Sequence, residues 1–171
     1  MDIKEMMNSL VKSKLFGNDR YGNSFDDSER CCARSFPFPV RIIVRKGAII
    51  DNLTFVFNEM TMAHGGNGGT QQEFSLQSDE HIVKVVGNTA RFSNDVVIEN
   101  ISFTTDKGRT FSAGQPKRGD GYFECVAQDG YAVCAMHGRA SNYLGAIGFY
   151  TRKIELDFNA QSPFGKMPGL K

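Results

Sequence analysis

Apolar and polar side chains alternate with a period of two through most of the chain from residue 36 onward. In Val40–Arg45 and Ile101–Thr105, for example, every second residue is apolar, and turn-forming pairs such as Lys46-Gly47 interrupt the runs. This pattern predicts antiparallel β-strands, and the connections are too short for parallel crossovers. An all-β fold is therefore predicted. Its other strands are Leu53–Phe57, Glu73–Leu76, His81–Val86, Tyr122–Ala127, Tyr131–Met136 and Ala146–Thr151.

The first fifteen residues follow a helical period instead. Ile3, Met6, Met7, Leu10 and Val11 fall on one helical face, which predicts a helix of about a dozen residues. A helix this short is marginal alone and must dock to persist. It either covers one end of the β-domain, or it forms a dimer contact or touches a membrane.

One sequence unit recurs three times. Ile50–Phe55 reads IDNLTF, Ile98–Phe103 reads IENISF, and Leu144–Phe149 reads LGAIGF more weakly. A loop-then-strand unit at this regular spacing predicts three similar antiparallel units around one pseudo-threefold axis. Each unit is expected to direct its Leu or Ile and its Phe into a shared core.

Charge and hydropathy limit the kinds of partner that the protein can bind and the cellular compartments that it can occupy. The formal charge of +1 gives no general attraction to nucleic acid or to an anionic membrane, and no run of 18 apolar residues is available for a membrane span. The N-terminus lacks the features of a signal peptide. The expectation is a cytoplasmic protein, or a secreted one if the first Met was added to a mature form.

Two of the four cysteines flank a turn signal. Asp129-Gly130 predicts a tight hairpin between the two strands, and counting outward from it places Cys125 opposite Cys134. Cα atoms in such a pair lie roughly 4.5 Å apart, within the range of a disulfide. A cross-strand disulfide and two free, packed thiols both remain open.

Two glycine-rich loops offer the best candidate chemistry. Phe16–Asp27 and His64–Gly69 leave backbone N–H groups uncovered, but neither has the features of a phosphate-binding loop. The three histidines lack metal-ligand spacing, and no nucleophile, acid–base pair or cofactor motif is evident. The sequence therefore predicts a binding domain without enzyme activity, metal or cofactor.

From about residue 16 to 151 the chain resembles the jacalin-related lectin family. The resemblance rests on the order and spacing of FDD, VRIIVRKGAIIDNLTFVF, HGGNGG, IENISFTTDKGRTFSAG and AMHGRASNYLGAIGFY. It implies a β-prism of three four-stranded Greek-key sheets. It also implies metal-free carbohydrate binding where a glycine-rich loop meets a G-x-x-x-D loop, whose Asp and backbone N–H groups hold sugar hydroxyls.

Residue by residue, the resemblance favours one binding loop over another. In the third repeat the family's best-known sugar loop corresponds to Ser141 followed by Asn142, Tyr143, Leu144 and Gly145, so its Gly and its Asp are both absent. This second site is expected to be degenerate. In the second repeat, Asp95–Glu99 has Glu in place of Asp and Asp in place of the first Gly.

The first repeat keeps the whole motif and is the preferred site. The predicted sugar-binding residues are Gly47, Ala48, Ile49, Ile50 and Asp51, with His64, Gly65 and Gly66 from the neighbouring loop. The alternative role of Asp51 is to cap backbone N–H groups of a structural turn. The galactose-preferring branch needs an N-terminal Gly made by chain cleavage. Sixteen residues precede Gly17 here, so the resemblance favours mannose- or glucose-type glycans.

These predictions divide the chain into an N-terminal helical extension (1–15), a β-prism domain (16–152) and a C-terminal tail (153–171). The leading function is a lectin whose avidity comes from a homo-oligomer. The alternative is a β-prism that has lost sugar binding and serves as a protein-interaction or structural module. A minor third function is a targeting module for a toxin assembly.

Overall fold

Strands dominate the computed structural model, which describes residues 2–154 and confirms the all-β fold class. The two helices of this part are α1 (Ile3–Asn8) and α2 (Ser28–Cys32). The strands are β1 (Val11–Lys12), β2 (Phe16–Gly17), β3 (Asn23–Asp26), β4 (Arg41–Lys46), β5 (Ile50–Val56), β6 (Thr61–Gly65), β7 (Thr70–Ser75), β8 (Ile82–Phe92), β9 (Asp95–Thr105), β10 (Thr110–Ala113), β11 (Tyr122–Val126), β12 (Tyr131–Ala140) and β13 (Leu144–Lys153).

The strands form three antiparallel sheets. Two of them have the orders β6-β5-β4-β7 and β10-β9-β8-β11, in which the fourth strand returns beside the first as in a Greek key. The third has the order β1-β13-β12-β3, and β2 also pairs with β13. The N-terminal strands therefore complete the sheet that the C-terminal hairpin begins.

The three repeats meet where the periodicity predicts. Phe55, Phe103 and Phe149 are fully buried, and their ring centroids lie 6.2, 6.3 and 6.4 Å apart in a nearly equilateral triangle. The preceding Leu53, Ile101 and Ile147 are also fully buried. The pseudo-threefold axis of the prism passes through this triangle.

A second, smaller apolar cluster closes one end of the prism. This apical end carries the β4–β5, β8–β9 and β12–β13 connections. The cluster contains one residue from the same position of each repeat: Ile49, Val97 and Tyr143. Tyr21 and Phe92 pack against them. The loops that carry the candidate site are therefore held together at their base.

The N-terminal helix is shorter than its periodicity predicts. It ends at Asn8, and Val11 and Lys12 pair instead with Thr151 and Tyr150 of β13. Met6, Met7 and Leu10 pack against the main core, so this segment covers one side of the domain. No helix of residues 2–154 is long and apolar enough to cross a membrane. Lys153, the first residue of the predicted tail, ends β13, and residues 155–171 lie outside the described part.

The predicted hairpin at Asp129-Gly130 is wrong, and of the two alternatives left open for Cys125 and Cys134 the structure has the free thiols. A turn does form, because Tyr131 N donates to Gln128 O at 2.9 Å, but β11 and β12 diverge into different sheets. Cys125 lies opposite Val85, whereas Cys134 lies in β12, and both are free thiols. Burial raises the pKa of the Cys134 thiol to about 12, so it stays protonated.

A buried carboxylate joins two sheets at the end opposite the apical loops. Glu80 receives two hydrogen bonds from Arg109, at 2.7 and 2.8 Å, and one from Thr105 Oγ1 at 2.6 Å. The Arg109 guanidinium also lies 4.5 Å from the centre of the Phe74 ring. The hydrogen bonds from Arg109 and Thr105 outweigh burial and lower the pKa of Glu80 to about 2 from 4.5.

This ion pair predicts an acid-labile contribution to stability. Because the pKa is depressed in the folded state, the stabilisation is complete above pH 4.5 and disappears as the pH falls toward 2. Glu80→Gln is expected to lower the free energy of unfolding at pH 7 by about 1.5–3 kcal/mol and to flatten the pH dependence in that window. Urea titrations from pH 2 to 7 measure both effects. The exposed Glu59→Gln serves as control, and an unchanged pH slope in Glu80→Gln would contradict the prediction.

Candidate functional site

Each sheet presents one corner at the apical end, built from a hairpin loop and a glycine-initiated loop. The first corner combines 47–51 with 65–69, the second 95–99 with 114–121, and the third 141–145 with 17–22. The second loop of each corner starts at a glycine with positive φ: Gly65 at 125°, Gly114 at 87° and Gly17 at 112°. The three corners are thus variations of one local structure.

Asp51 in the first corner lies at a β-bulge. Asn52 pairs with Arg45 and Ile50 pairs with Lys46, which leaves Asp51 as the extra residue. Bulges re-aim side chains, and here the carboxylate points toward the glycine loop. Its Oδ2 accepts a hydrogen bond from Gly47 N at 3.1 Å, and the residue is 7% exposed. One carboxylate oxygen therefore does cap the turn.

The glycine loop passes beside the carboxylate with main chain alone, so no side chain fills the space next to Oδ1. A β-carbon at Gly68 would lie 2.8 Å from Asp51 Oδ1, and one at Gly69 would lie 2.6 Å from Oδ2. Glycine is required at Gly69, where φ is +74° and a β-carbon would also lie 2.5 Å from the Lys46 backbone, whereas a side chain at Gly68 would displace the Asp51 carboxylate. The backbone approaches the carboxylate, and the two together form the floor and the wall of the first corner.

Four hydrogen bonds hold this loop in place. Gly66 N donates to Asp51 O at 2.8 Å, and Asn52 Nδ2 donates to Gly66 O at 3.1 Å. The Arg45 guanidinium donates to Gly68 O and to Gly69 O, each at 2.9 Å. The loop is therefore ordered before any ligand arrives, which reduces the entropy lost on binding.

The first corner leaves donors and an acceptor unused. Within residues 2–154, no donor bonds to Asp51 Oδ1, and no acceptor bonds to the N–H groups of Ala48, Asn67 or Gly68. Gly47, Ala48, Asn67 and Gly68 are exposed. A carboxylate oxygen beside free backbone N–H groups matches the hydrogen bonding of neighbouring hydroxyl groups, each of which donates one bond and accepts others. Residues 2–154 contain no cluster of three or more His, Cys, Asp or Glu side chains that could hold a metal ion.

The structure brings five of the predicted residues together: Gly47, Ala48, Asp51, Gly65 and Gly66. Ile50 and Ile49 point elsewhere, Ile50 into the main core and Ile49 into the apical cluster. Arg45 was not among the sequence candidates, although a signal for it exists. An arginine precedes Asp51 by six positions, and Arg139 precedes Gly145 by the same interval.

His64 supports the glycine loop from below. Its ring stacks on Phe25 with centroids 3.6 Å apart, and its Nε2 lies 2.8 Å from Oδ2 of the buried Asp27. Phe25 and Asp27 belong to the neighbouring sheet and the turn that follows it. His64 therefore fixes the end of β6, where the loop starts, and does not itself lie in the opening.

The third corner has the same main-chain hydrogen bonds as the first, but different side chains occupy the space between its loops. Arg139 donates to Tyr21 O at 2.7 Å and to Gly22 O at 2.8 Å, as Arg45 does to Gly68 and Gly69. Asn18 N donates to Gly145 O at 2.9 Å, as Gly66 N does to Asp51 O. Tyr21 thus takes the place of Gly68, and Gly145 takes the place of Asp51.

The Tyr21 ring occupies the space of the missing carboxylate. A β-carbon at Gly145 would lie 2.4 Å from a Tyr21 ring carbon, and the ring stacks near Tyr143 with centroids 6.3 Å apart. Tyr143 N donates to Tyr21 Oη at 3.2 Å, which uses a backbone donor of the loop. Asn142 and Leu144 leave no other opening: the Asn142 backbone packs on Gly66, and Leu144 is fully buried. The third corner is closed by apolar packing.

Comparison with known proteins gives one consistent result. The family model described as "Jacalin-like lectin domain" matches residues 13–150. Horcolin from Hordeum vulgare subsp. vulgare is 30% identical over 125 residues, which cover 67% of this chain and 84% of that protein.

Solved lectins share the fold. Malaysian banana lectin superposes with a TM-score of 0.70 at 23% identity, covering 84% of this chain and 99% of that one. A mannose-specific jacalin-related lectin from Morus nigra, solved in complex with mannose, gives a TM-score of 0.70 at 21% identity over 84% and 95% of the two chains. At these identities the two structures establish the fold alone.

Proposed function

The chain belongs to the jacalin-like lectin domain family, and from this premise we propose that its first corner binds mannose- or glucose-type glycans without a metal ion. Membership in the family makes this a non-enzymatic carbohydrate-binding domain. The choice of corner and the type of sugar are our proposals.

One observation carries the choice of corner: Asp51 Oδ1 faces main chain that bears no side chain. In this arrangement Oδ1 accepts hydrogen bonds from sugar hydroxyls, while the N–H groups of Ala48, Asn67 and Gly68 donate to sugar oxygens. Hydrogen bonds to a charged group contribute about 1.5–3 kcal/mol each. A single sugar in such a shallow site binds in the millimolar range, which corresponds to about −4 kcal/mol.

Two arguments favour mannose or glucose over galactose. The galactose-preferring branch of the family uses a free N-terminal Gly amine, whereas Gly17 N here is an internal peptide nitrogen preceded by the paired strand β1. The Morus nigra relative is mannose-specific by its description. Useful avidity then depends on several copies acting together, as in a homo-oligomer.

Asp51→Asn is the sharpest test of the proposed site. Asn keeps an oxygen for the hydrogen bond from Gly47 N, so the turn survives, but it removes the negative charge. We expect methyl α-mannoside binding, measured by calorimetry or NMR titration, to weaken at least tenfold, since one charge-assisted bond contributes about 1.5–3 kcal/mol. The thermal midpoint should shift little.

Asp129→Asn, in the exposed turn far from the apical end, is the matched control and should bind as the wild type does. Equal affinity for Asp51→Asn and wild type would show that Asp51 only caps the turn, and it would remove the first corner as the sugar site.

A second candidate function, a protein-interaction module without sugar binding, is supported by the third corner. Tyr21 and Gly145 replace a polar opening with apolar packing there, so this corner of the prism no longer offers a sugar site. A glycan array at high protein density separates the two functions. Binding that Asp51→Asn abolishes supports the lectin, and no binding to any glycan supports the interaction module.

A further inference from the structure

The second corner contains a cavity beneath its glycine-initiated loop. Its closing loop runs from Gly114 to Gly121, longer than Gly65–Gly69 or Gly17–Gly22. The space between this loop and the β8–β9 hairpin is about 440 Å³. Glu99, Asn100, Gln115 and Lys117 line it, together with Lys46 at the end of β4.

The cavity opens because one hydrogen bond is missing. In the first and third corners, the residue after the positive-φ glycine donates its N–H to the bulge residue, Gly66 to Asp51 and Asn18 to Gly145. The equivalent residue of the second corner is Gln115, and within the described chain its N–H has no bond to Glu99 O. The longer loop stands away from the bulge.

A buried amide oxygen beside the cavity lacks a partner, although the nitrogen of the same amide, Asn100 Nδ2, donates to Glu99 Oε1 at 3.5 Å. In the first corner, Asn52 uses both ends of its amide: Oδ1 accepts from Thr54 Oγ1 at 2.9 Å, and Nδ2 donates to Gly66 O. In the second corner, Ser102 bonds to Ser112 instead, and Asn100 Oδ1 is buried with no donor among the residues described. Asn100 is 5% exposed. Buried polar atoms without a partner are rare and call for an explanation.

Two hydrogen bonds nevertheless anchor the loop to β8. Asn88, itself buried, receives a hydrogen bond from Lys117 N at 2.8 Å and donates to Lys117 O at 2.7 Å. It thereby takes the anchoring role that Arg45 and Arg139 have in the other corners. The opening is a built feature of the loop, held by side-chain contacts at its base.

The charged and polar groups that line the cavity indicate which class of ligand it binds. The half-buried Glu99 and the unpartnered Asn100 Oδ1 are acceptors, so they require donors such as hydroxyl groups. Lys117 forms no ion pair within residues 2–154, and the Lys46 ammonium donates only to Gly47 O, at 2.9 Å. Arg118 and Asp120 also line the cavity, so its lining carries three cations and two carboxylates. The net positive charge favours a negatively charged group. The combination matches a sugar ring that carries both hydroxyls and an acid.

We propose that the second-corner cavity is a separate ligand site for a carboxylate-bearing saccharide unit, whose hydroxyls donate to Glu99 and Asn100 and whose carboxylate pairs with Lys117 and Lys46. The site does not depend on the proposed sugar site at Asp51, although Lys46 borders both. It makes the apical end a two-site surface with different charge preferences.

The test uses the full chain labelled with ¹⁵N and titrated with tri-galacturonate. The neutral galactotriose of the same linkage is the matched ligand control, and sodium sulfate at equal ionic strength is the anion control. We expect the amide signals of Glu99, Gln115 and Lys117 to shift with tri-galacturonate only. Lys117→Glu should weaken this binding at least tenfold, because it reverses the charge that meets the carboxylate.

Arg91→Glu, an equal charge change at an exposed position of the β8–β9 hairpin, should leave the affinity within twofold of wild type. Asp51→Asn should also leave it unchanged, which separates this site from the first corner. The proposal is overturned if those amides do not shift at millimolar ligand, or if sulfate or galactotriose shifts them equally. Equal affinity in Lys117→Glu, or loss of binding in Asp51→Asn, also overturns it.

Discussion

Phe103→Ala is expected to lower the free energy of unfolding by about 3–5 kcal/mol, the range for truncating a fully buried Phe. Phe103 lies in the aromatic triangle on the pseudo-threefold axis, with Phe55 at 6.2 Å and Phe149 at 6.4 Å. Each sheet supplies one ring, so the cavity left by the truncation lies between three sheets. None of the sheets can move inward to fill it without breaking its contacts with the other two.

Urea denaturation followed by intrinsic tyrosine fluorescence and circular dichroism measures this loss. Phe111→Ala is the control, since Phe111 is only partly buried, on an outer strand, where it stacks on Phe74 at 5.3 Å. Its loss should be clearly smaller. If Phe103→Ala and Phe111→Ala were equally destabilising, the shared axis would not be the main packing centre of the fold.

The sequence predicts the threefold fold because the repeats encode it directly. Leu53, Ile101 and Ile147 stand two positions before the three phenylalanines, and all six residues are fully buried. Alternation of apolar and polar residues is a local property of a strand, so it is visible in the sequence. The same strand pattern recurs once in each of the three sheets. The family resemblance pointed to the same architecture.

The partners of each strand are harder to predict, and the Asp129-Gly130 turn shows why. The same turn residues join a hairpin within one sheet and connect two sheets at their ends. Here Cys125 pairs with β8, and Cys134 lies in β12 beside β13. Which outcome occurs depends on distant strands that complete each Greek key, and no local signal near residue 130 reports them.

For the candidate site, the sequence indicates which polar groups are present, but it does not show which side chains pack around them. Asp51 and the double glycine are visible in the motif, and so is the missing carboxylate at Gly145. The exchange of Gly68 for Tyr21 is not visible, because the two loops differ in length and their alignment depends on which carbonyls Arg45 and Arg139 hold. Side-chain volume above the carboxylate is a property of the folded corner.

The replacement of Gly68 by Tyr21 and of Asp51 by Gly145 in the third corner suggests how a second sugar site can be made there. Removing the Tyr21 ring and adding a carboxylate at position 145 should restore the arrangement of the first corner, since the main-chain frame is already present. In the double variant Tyr21→Gly with Gly145→Asp, we expect the number of mannose sites per chain to rise from one to two in calorimetric titration. On a dense mannose surface, two sites acting together should raise avidity by about a hundredfold.

The single variants separate the two requirements. Gly145→Asp alone should be destabilised, because its side chain meets the Tyr21 ring, and it should gain no site. Tyr21→Gly alone opens the corner but supplies no charge, and the loss of a packed ring should lower the free energy of unfolding by about 3 kcal/mol. Only the double variant combines room with an acceptor, so a stoichiometry of one in a folded double variant would contradict the prediction. It would mean that the extra residue of the Gly17–Gly22 loop displaces the backbone donors from the sugar.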